Sequence, residues 1–540
     1  MASSRLTRFV AALVLTSCAL ICADASVHDY SGQRFVSSGN AFVLHGGSEG
    51  VYASTKSGAF IRFEKVSFTR SPESAAAAAA EGGNRTSTVT AVIFEAGDRD
   101  AVGGTDAASG ERALCCTPSM AERGACTEGA VTHRASNATG GWPKVLSASF
   151  HPGGGLDAAF PDETVPVSRT GMYTLLFVHC DASLAAGAAV NAGGKTIWKN
   201  SRGYLPGRMA PLLPFYGAMS LAFVALAAYW FAQYARFWRE VAPLQSCATV
   251  VIALGMVEAT TWYLDLAEFD ESGVRPRGAT LWAATAGALR GAAARVLVLA
   301  VAMGHGVVRP ALAGMRRSAR VAGLGAAFFA AAEALEVSEN VGAVSDHSLS
   351  PARRMLLVIP VAAMNAVFVC WIFSSLSKTL HKLKTRRMTA KLEMYRRLNN
   401  ALIIAVAVSL GWMTFEPGHL QLAMRVQIHF KSTEEYSERW RAAWVIPAGW
   451  QLISFSLLCA ICLIWAPSHT STRYAYSEEE EDGEEDVDRD LEDTRPLIRP
   501  GPLSYVDTWA ISVSQDATKI ILRTDSGVYA KAAGDGGKRV

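Results

Sequence analysis

The chain has 540 residues, of which 50% are hydrophobic and only 18% charged, with a formal net charge of +3. Soluble globular chains carry about 25% charged residues, so this composition excludes a purely cytosolic enzyme and a secreted domain. The small net charge gives no reason to expect a nucleic-acid partner. What remains is a polytopic membrane protein, because apolar runs of about 20 residues, the length a bilayer requires, recur between Leu212 and Trp465.

The chain opens with an address. Arg5 and Arg8 precede the apolar stretch Phe9 to Ile21, which is followed by Ala23-Asp24-Ala25. A basic start, a short apolar core and a small-x-small site predict a signal peptide over residues 1–25, cleaved after Ala25. Everything that follows then enters the lumen of the secretory pathway. Asn84 and Asn137 each begin an N-x-S/T sequon ahead of the first apolar span, and both are predicted glycosylation sites. The same segment holds Cys115, Cys116, Cys126 and Cys180, in a compartment where disulfides form. A bond between neighbours Cys115 and Cys116 is strained, so one is expected to join Cys126 and the other Cys180, which with which being open. No Cys/His spacing suggests a metal.

Residues 26–207 alternate short β-rich runs with Gly, Ser and Asn. Ala59 to Phe63, Thr88 to Phe94 and Met172 to Cys180 alternate with period two between turn residues, which predicts a small antiparallel sandwich. The Ala75–Ala80 run is expected to be a disordered insertion. Gly46-Gly47-Ser48-Glu49-Gly50 fits the G-x-S-x-G string of a nucleophile elbow. That elbow needs a helix behind it, whereas Val51 to Thr55 favours a strand, so the string is expected to be a glycine-rich hairpin turn. The protein is expected not to be an enzyme and to carry no resident cofactor.

Seven helical spans are predicted near 211–235, 244–266, 279–308, 319–340, 355–377, 398–415 and 441–466, within a bundle over 208–467. Trp238, Trp262, Trp282, Trp440 and Trp465 edge them as interfacial belts do. A lumenal N-terminus and seven crossings put the C-terminus in the cytosol. The loops then assigned to the cytosol carry two, four (with flanking Arg320) and eight Lys/Arg, against two, two and four (with flanking Arg441) on the lumenal side, the bias expected of that orientation.

The third span contains Arg290 and Arg295, the fourth Glu333 and Glu336, and the second Glu258 and Asp265. Two charges cost a lipid-facing helix about 5–7 kcal/mol, so these side chains are expected to neutralise one another inside the bundle. Glu258, Arg290, Glu333 and Glu336 all lie between the lumenal surface and mid-membrane. They predict a polar hollow open to the lumen, or ion pairs that merely lock the helices. The Ala- and Gly-rich third and fourth spans permit close packing.

Residues 468–540 form a polar tail. Ser477 to Asp493 holds twelve acids and one base, too self-repelling to fold. Asp493-Thr494-Arg495-Pro496-Leu497-Ile498 fits the acidic dileucine pattern read by clathrin adaptors, which makes Asp493, Leu497 and Ile498 a candidate sorting signal.

Ordered strings through residues 203–481 carry a resemblance. They include Gly203-Tyr204-Leu205-Pro206, Pro211 to Tyr216, Ala253 to Glu258 with Trp262-Tyr263, Arg295 ahead of Pro310, Lys382 to Arg387, Trp440-Arg441, and Trp465-Ala466-Pro467-Ser468. The chain resembles the lung seven-transmembrane superfamily, seven-helix proteins with a lumenal GOLD-type domain, and most of all its transmembrane protein 87 branch. Gly171 to Phe177 ending at Cys180 is similar to the closing strand of a GOLD-type sandwich. Members of that branch usually carry a cysteine between helices six and seven; residues 416–440 have none, so the lumenal domain is expected to be less firmly tied here.

The resemblance implies a membrane protein of the Golgi apparatus, cycling through endosomes, that assists protein trafficking. Its partners would be membrane or secreted cargo, a clathrin adaptor at the tail, and membrane lipid, including a phospholipid held in the helix bundle. Cation conduction is one alternative. An orphan receptor of the G-protein-coupled kind is another, though no Asp/Glu-Arg-Tyr string closes the third span and no Asn-Pro-x-x-Tyr marks the seventh.

Overall fold

A computed structural model describes residues 26–54, 58–72, 87–106, 110, 112–124, 126–134, 141–151, 155–180, 190–237, 243–304, 315–340, 351–415 and 440–466. The predicted signal peptide, both sequons, the Ala75–Ala80 run, the segment 416–439 and the tail with Asp493, Leu497 and Ile498 lie outside the described residues.

The N-terminal half is β-rich. In chain order its strands are β1 (Val27–Asp29), β2 (Gln33–Arg34), β3 (Val36–Ser38), β4 (Ala41–Val51), β5 (Ala59–Arg70), β6 (Thr88–Glu95) and β7 (Gly104–Thr105). There follow β8 (Arg112–Ala113), β9 (Lys144–Ser149), β10 (Asp157–Ala159), β11 (Thr164–Val167), β12 (Gly171–His179) and β13 (Val190–Lys199). One sheet runs β1-β13-β5-β10, with β11 also on β5 and β2 also on β13; the other runs β3-β4-β12-β6-β9. Their facing surfaces share one core, in which Ile61, Phe63 and Phe68 of β5 and Trp198 of β13 meet Val89, Ala91 and Ile93 of β6 and Tyr173, Leu175 and Phe177 of β12.

The second sheet is covered on its other face too. Val92 and Phe94 of β6 and Leu176 and Val178 of β12 pack there against Val102, Cys115, Val131 and Cys180. The period-two alternation expected of β12 is therefore not what the strand carries: buried on both faces, it is mostly apolar at successive positions. Disulfides Cys115–Cys180 and Cys116–Cys126 fasten that covering segment, which settles the pairing that sequence left open.

The hairpin expected at Gly46–Gly50 is not formed. The string lies inside β4, paired along its length with β12, with a register shift opposite Leu175/Leu176. Gly47 sits at φ 123°, a backbone state that side chains other than hydrogen rarely adopt, against the ring of His28. Ser48 Oγ hydrogen-bonds Thr174 Oγ1 across the strands at 2.5 Å. The glycines serve a bulge and close approaches, so the string reads as turn chemistry only when its neighbours in space are unknown.

Among the described residues seven long helices follow: α1 (Leu212–Arg236), α2 (Pro243–Ser272), α3 (Arg277–Ala302), α4 (Met315–Asn340), α5 (Pro351–Thr385), α6 (Thr389–Phe415) and α7 (Val445–Ile464). Six are long and apolar enough to cross a membrane. α6 is not among them; Lys391, Glu393, Arg396 and Arg397 lie in its first turns, while its residues 398–415 carry no charge. Large apolar side chains such as Leu221, Val257, Trp282, Leu356, Ile404 and Leu463 face outward from the helices, the surface that lipid requires. The third helix ends at Ala302 rather than near 308, closed by Gly304 at φ 81°. α5 and α6 extend well beyond their expected bounds, because charged residues do not stop a helix that has left the bilayer.

The β domain is built onto the bundle. After β13, Asn200 Oδ1 accepts the Tyr52 amide at 2.6 Å and its Nδ2 donates to the Leu205 carbonyl at 2.6 Å. The Tyr204 amide donates to the Asp270 carbonyl and the Leu205 amide to Asp270 Oδ1 at 3.1 Å, tying the linker to the end of α2. Leu205 is buried beside Trp262, Leu266 and Phe269 of the same helix. A second joint lies just before α7. Trp440 is buried with Ala96, Met172 and Tyr52, and Arg441 Nη2 donates to the Thr170 carbonyl at 3.3 Å. A Cβ on Gly50 would occupy the place of the Trp440 ring, and the Gly207 amide donates to the Gly50 carbonyl at 2.8 Å. The loose attachment expected from the missing loop cysteine is therefore not what the contacts describe.

Candidate functional site

The candidate site is a layer of buried polar side chains in the half of the bundle nearer the β domain. Farthest up, Asp265 of α2 is fully buried. Its Oδ2 accepts Arg275 Nε at 3.2 Å and Nη2 at 3.1 Å, and its Oδ1 accepts Thr280 Oγ1 at 2.5 Å. Arg275 also donates from Nη1 to the Asn340 carbonyl at the end of α4 and lies 5.7 Å over the Trp262 ring. One guanidinium thus fastens α2, the α2–α3 turn and α4.

Two helical turns along α2, Glu258 meets Arg290 of α3. Arg290 donates from Nε to Glu258 Oε2 and from Nη2 to Oε1 at 3.3 Å. Gln451 of α7 completes the group, donating from Nε2 to Glu258 Oε1 and accepting Arg290 Nη2, each at 2.9 Å. The pair is a forked guanidinium–carboxylate contact, which orients as well as neutralises. Three helices separated by up to 193 positions in sequence converge on it.

The remaining charges do not pair as expected. Glu333 is 3% exposed; its Oε1 accepts Thr285 Oγ1 at 2.7 Å, while its buried Oε2 has no hydrogen-bond partner among the described residues. Glu336 accepts Asn340 Nδ2 at 3.1 Å on its own helix. Arg295 donates from Nε to Asn365 Oδ1 of α5 at 2.6 Å and from Nη1 to the Gly291 carbonyl, and lies 4.2 Å over the Phe328 ring. Among the described residues it makes no ion pair. At about 100° per residue, Arg295 is turned some 140° from Arg290, toward α4 and α5 and away from Glu258.

The sequence reading missed Arg275, Thr280, Thr285, Asn365 and Gln451. Arg275 was counted only as a loop charge that sets orientation. Asn365 and Gln451 are single polar residues in apolar spans, a signal present but weak, since neutral amides are tolerated within membrane helices that pack on others.

Residues 211–472 match the family described as "GOST, seven transmembrane domain". That segment, a little under half of the chain, is similar to the GOST seven-transmembrane family. The chain is 30% identical over 293 residues to transmembrane protein 87A of Xenopus tropicalis, covering 54% of this chain and 51% of that protein. It is 31% identical over 280 residues to transmembrane protein 87A of Homo sapiens, covering 52% and 47%. Membrane protein PTM1 of Saccharomyces cerevisiae is 27% identical over 344 residues, covering 62% and 61%. The chain spans about half the length of the animal relatives it matches, and these names describe membrane proteins without an enzymatic term. The buried layer of Glu258, Arg290 and Gln451 lies within the segment that matches the GOST model, while the docked sandwich lies outside it.

Proposed function

We propose that this GOST protein assists the trafficking of membrane or secreted cargo through the Golgi apparatus and endosomes, with its N-terminus lumenal and its tail cytosolic. The β domain, GOLD-like in strand β12, is the cargo- or lipid-binding part. The GOST bundle holds a phospholipid headgroup against the polar layer, and the tail recruits a clathrin adaptor through Asp493, Leu497 and Ile498.

The observation that carries this reading is the double joint at Leu205–Asp270 and Trp440–Gly50. A recognition domain locked onto a bundle passes the energy of binding to the helices, which a domain on a free linker does not. The neutralisation of Glu258 by Arg290 supports a structural and binding role for the layer over ion conduction. Removing Glu478 to Ile498 from a tagged full-length protein is expected to move it out of the Golgi, as seen by fluorescence microscopy. An unchanged distribution would remove the tail from the proposal.

A further inference from the structure

The end of the bundle away from the β domain is strongly basic. α5 has 35 residues, about 52 Å of helix against a hydrocarbon core of about 30 Å. Its last turns and the first turns of α6 therefore stand beyond the bilayer as a hairpin. The two helices are joined by a tight turn with Arg387 at φ 55°, closed by the Met388 amide on the Leu383 carbonyl. Lys378, Lys384, Arg386, Arg387, Arg396 and Arg397 are all exposed on it. Its one acid among the described residues is Glu393, paired with Arg397 at 3.2 Å.

The chain leaves the bundle next to this hairpin. The ring of Trp465, just past α7, lies 6.0 Å from that of Tyr395 on α6, and its carbonyl accepts Gln245 Nε2 at 3.2 Å. Thirteen positions later begins the run from Glu478 to Asp493, which holds twelve acids and one base. Thirteen residues span up to about 45 Å, whereas the hairpin tip stands about 14 Å of helix beyond Tyr395. Chain connectivity alone places the acidic run and the basic hairpin on the same side of the membrane.

We propose that the acidic segment Glu478–Asp493 of this same chain docks on the basic hairpin Lys378–Arg397. Single exposed ion pairs are weak and salt-screened, but a tethered partner meets the hairpin at an effective concentration in the millimolar range. The opposing charges on the two segments are many. Docking draws Asp493, Leu497 and Ile498 toward the bundle.

The test uses full-length protein in single-copy phosphatidylcholine nanodiscs, treated with a carbodiimide that joins lysine amines to carboxyl groups, and mapped by mass spectrometry. Linkages from Lys378 or Lys384 to acids between Glu478 and Asp493 are expected at 0.05 M salt, falling at least tenfold at 1 M. They should fall as far when Arg386, Arg387, Arg396 and Arg397 are all changed to Gln, which leaves both reporter lysines in place. No such linkage at low salt, or a yield indifferent to salt or to those four changes, overturns the proposal. In nanodiscs with one third phosphatidylserine the linkage is expected to persist; its disappearance would mean that anionic lipid holds the hairpin instead, and would also overturn it.

Discussion

Glu258 and Arg290 show how a buried charge is tolerated. Each is costly in a bilayer alone, and their forked contact with Gln451 satisfies both. Arg290→Ala leaves a buried carboxylate with one amide partner and is expected to destabilise the bundle by about 3–5 kcal/mol. The double variant Glu258→Gln, Arg290→Gln keeps hydrogen-bonding ends without net charge and should lose less than Arg290→Ala. Thermal unfolding in detergent distinguishes these; a double variant damaged by the sum of its parts would argue against direct pairing. Glu95, at the end of β6 near the second joint, is a different case. Burial, and secondarily the like charge of Asp98, push its carboxyl above the usual range, with Arg169 and Arg441 opposing. The folded state therefore prefers the protonated acid. That contribution is fully present below the unfolded value of about 4.3 and is lost as pH rises through the higher folded value. Glu95→Gln is expected to raise the melting temperature at pH 7.5 and to flatten its rise toward acid, as measured by melts across pH.

β12 and α7 show what single elements contribute. β12 was legible in the sequence as a strand, and its lack of alternation follows from burial on both faces. β4 was half legible: its glycines point to a turn unless Trp440 and His28 are known to stand where side chains would be. The start of α7 acts through Trp440, which is 3% exposed in a pocket made by the β domain. Trp440→Ala removes that wedge, and core truncations of this size cost about 3–5 kcal/mol. Hydrogen exchange at the Gly207 amide, which is bonded to the Gly50 carbonyl, is expected to quicken at least tenfold in this variant. Unchanged protection would show that the linker joint holds the domain by itself.

Seen whole, the protein is a β-sandwich and a helix bundle sharing two joints, and the joints make it more than two domains on one chain. Breaking both with Trp440→Ala and Asp270→Ala is expected to split thermal unfolding into two transitions, one per half. A single transition in that variant, followed by calorimetry, would place the coupling elsewhere. Asp270 was invisible as a joint residue because a carboxylate next to a membrane surface is unremarkable in sequence; only its contact with the Leu205 amide distinguishes it.

Membrane character, the β-rich first half and the helical spans were written in composition and periodicity, because burial in lipid or in a sheet selects residues locally and repeatedly. Local chemistry also narrowed the disulfides to two pairings. Which cysteine joins which, which acid meets which base, and where Arg295 points depended on the rotation and depth of helices far apart in the chain. Those are long-range quantities: five positions along α3, a rotation of about 140°, separate a guanidinium that meets Glu258 from one that lies over Phe328.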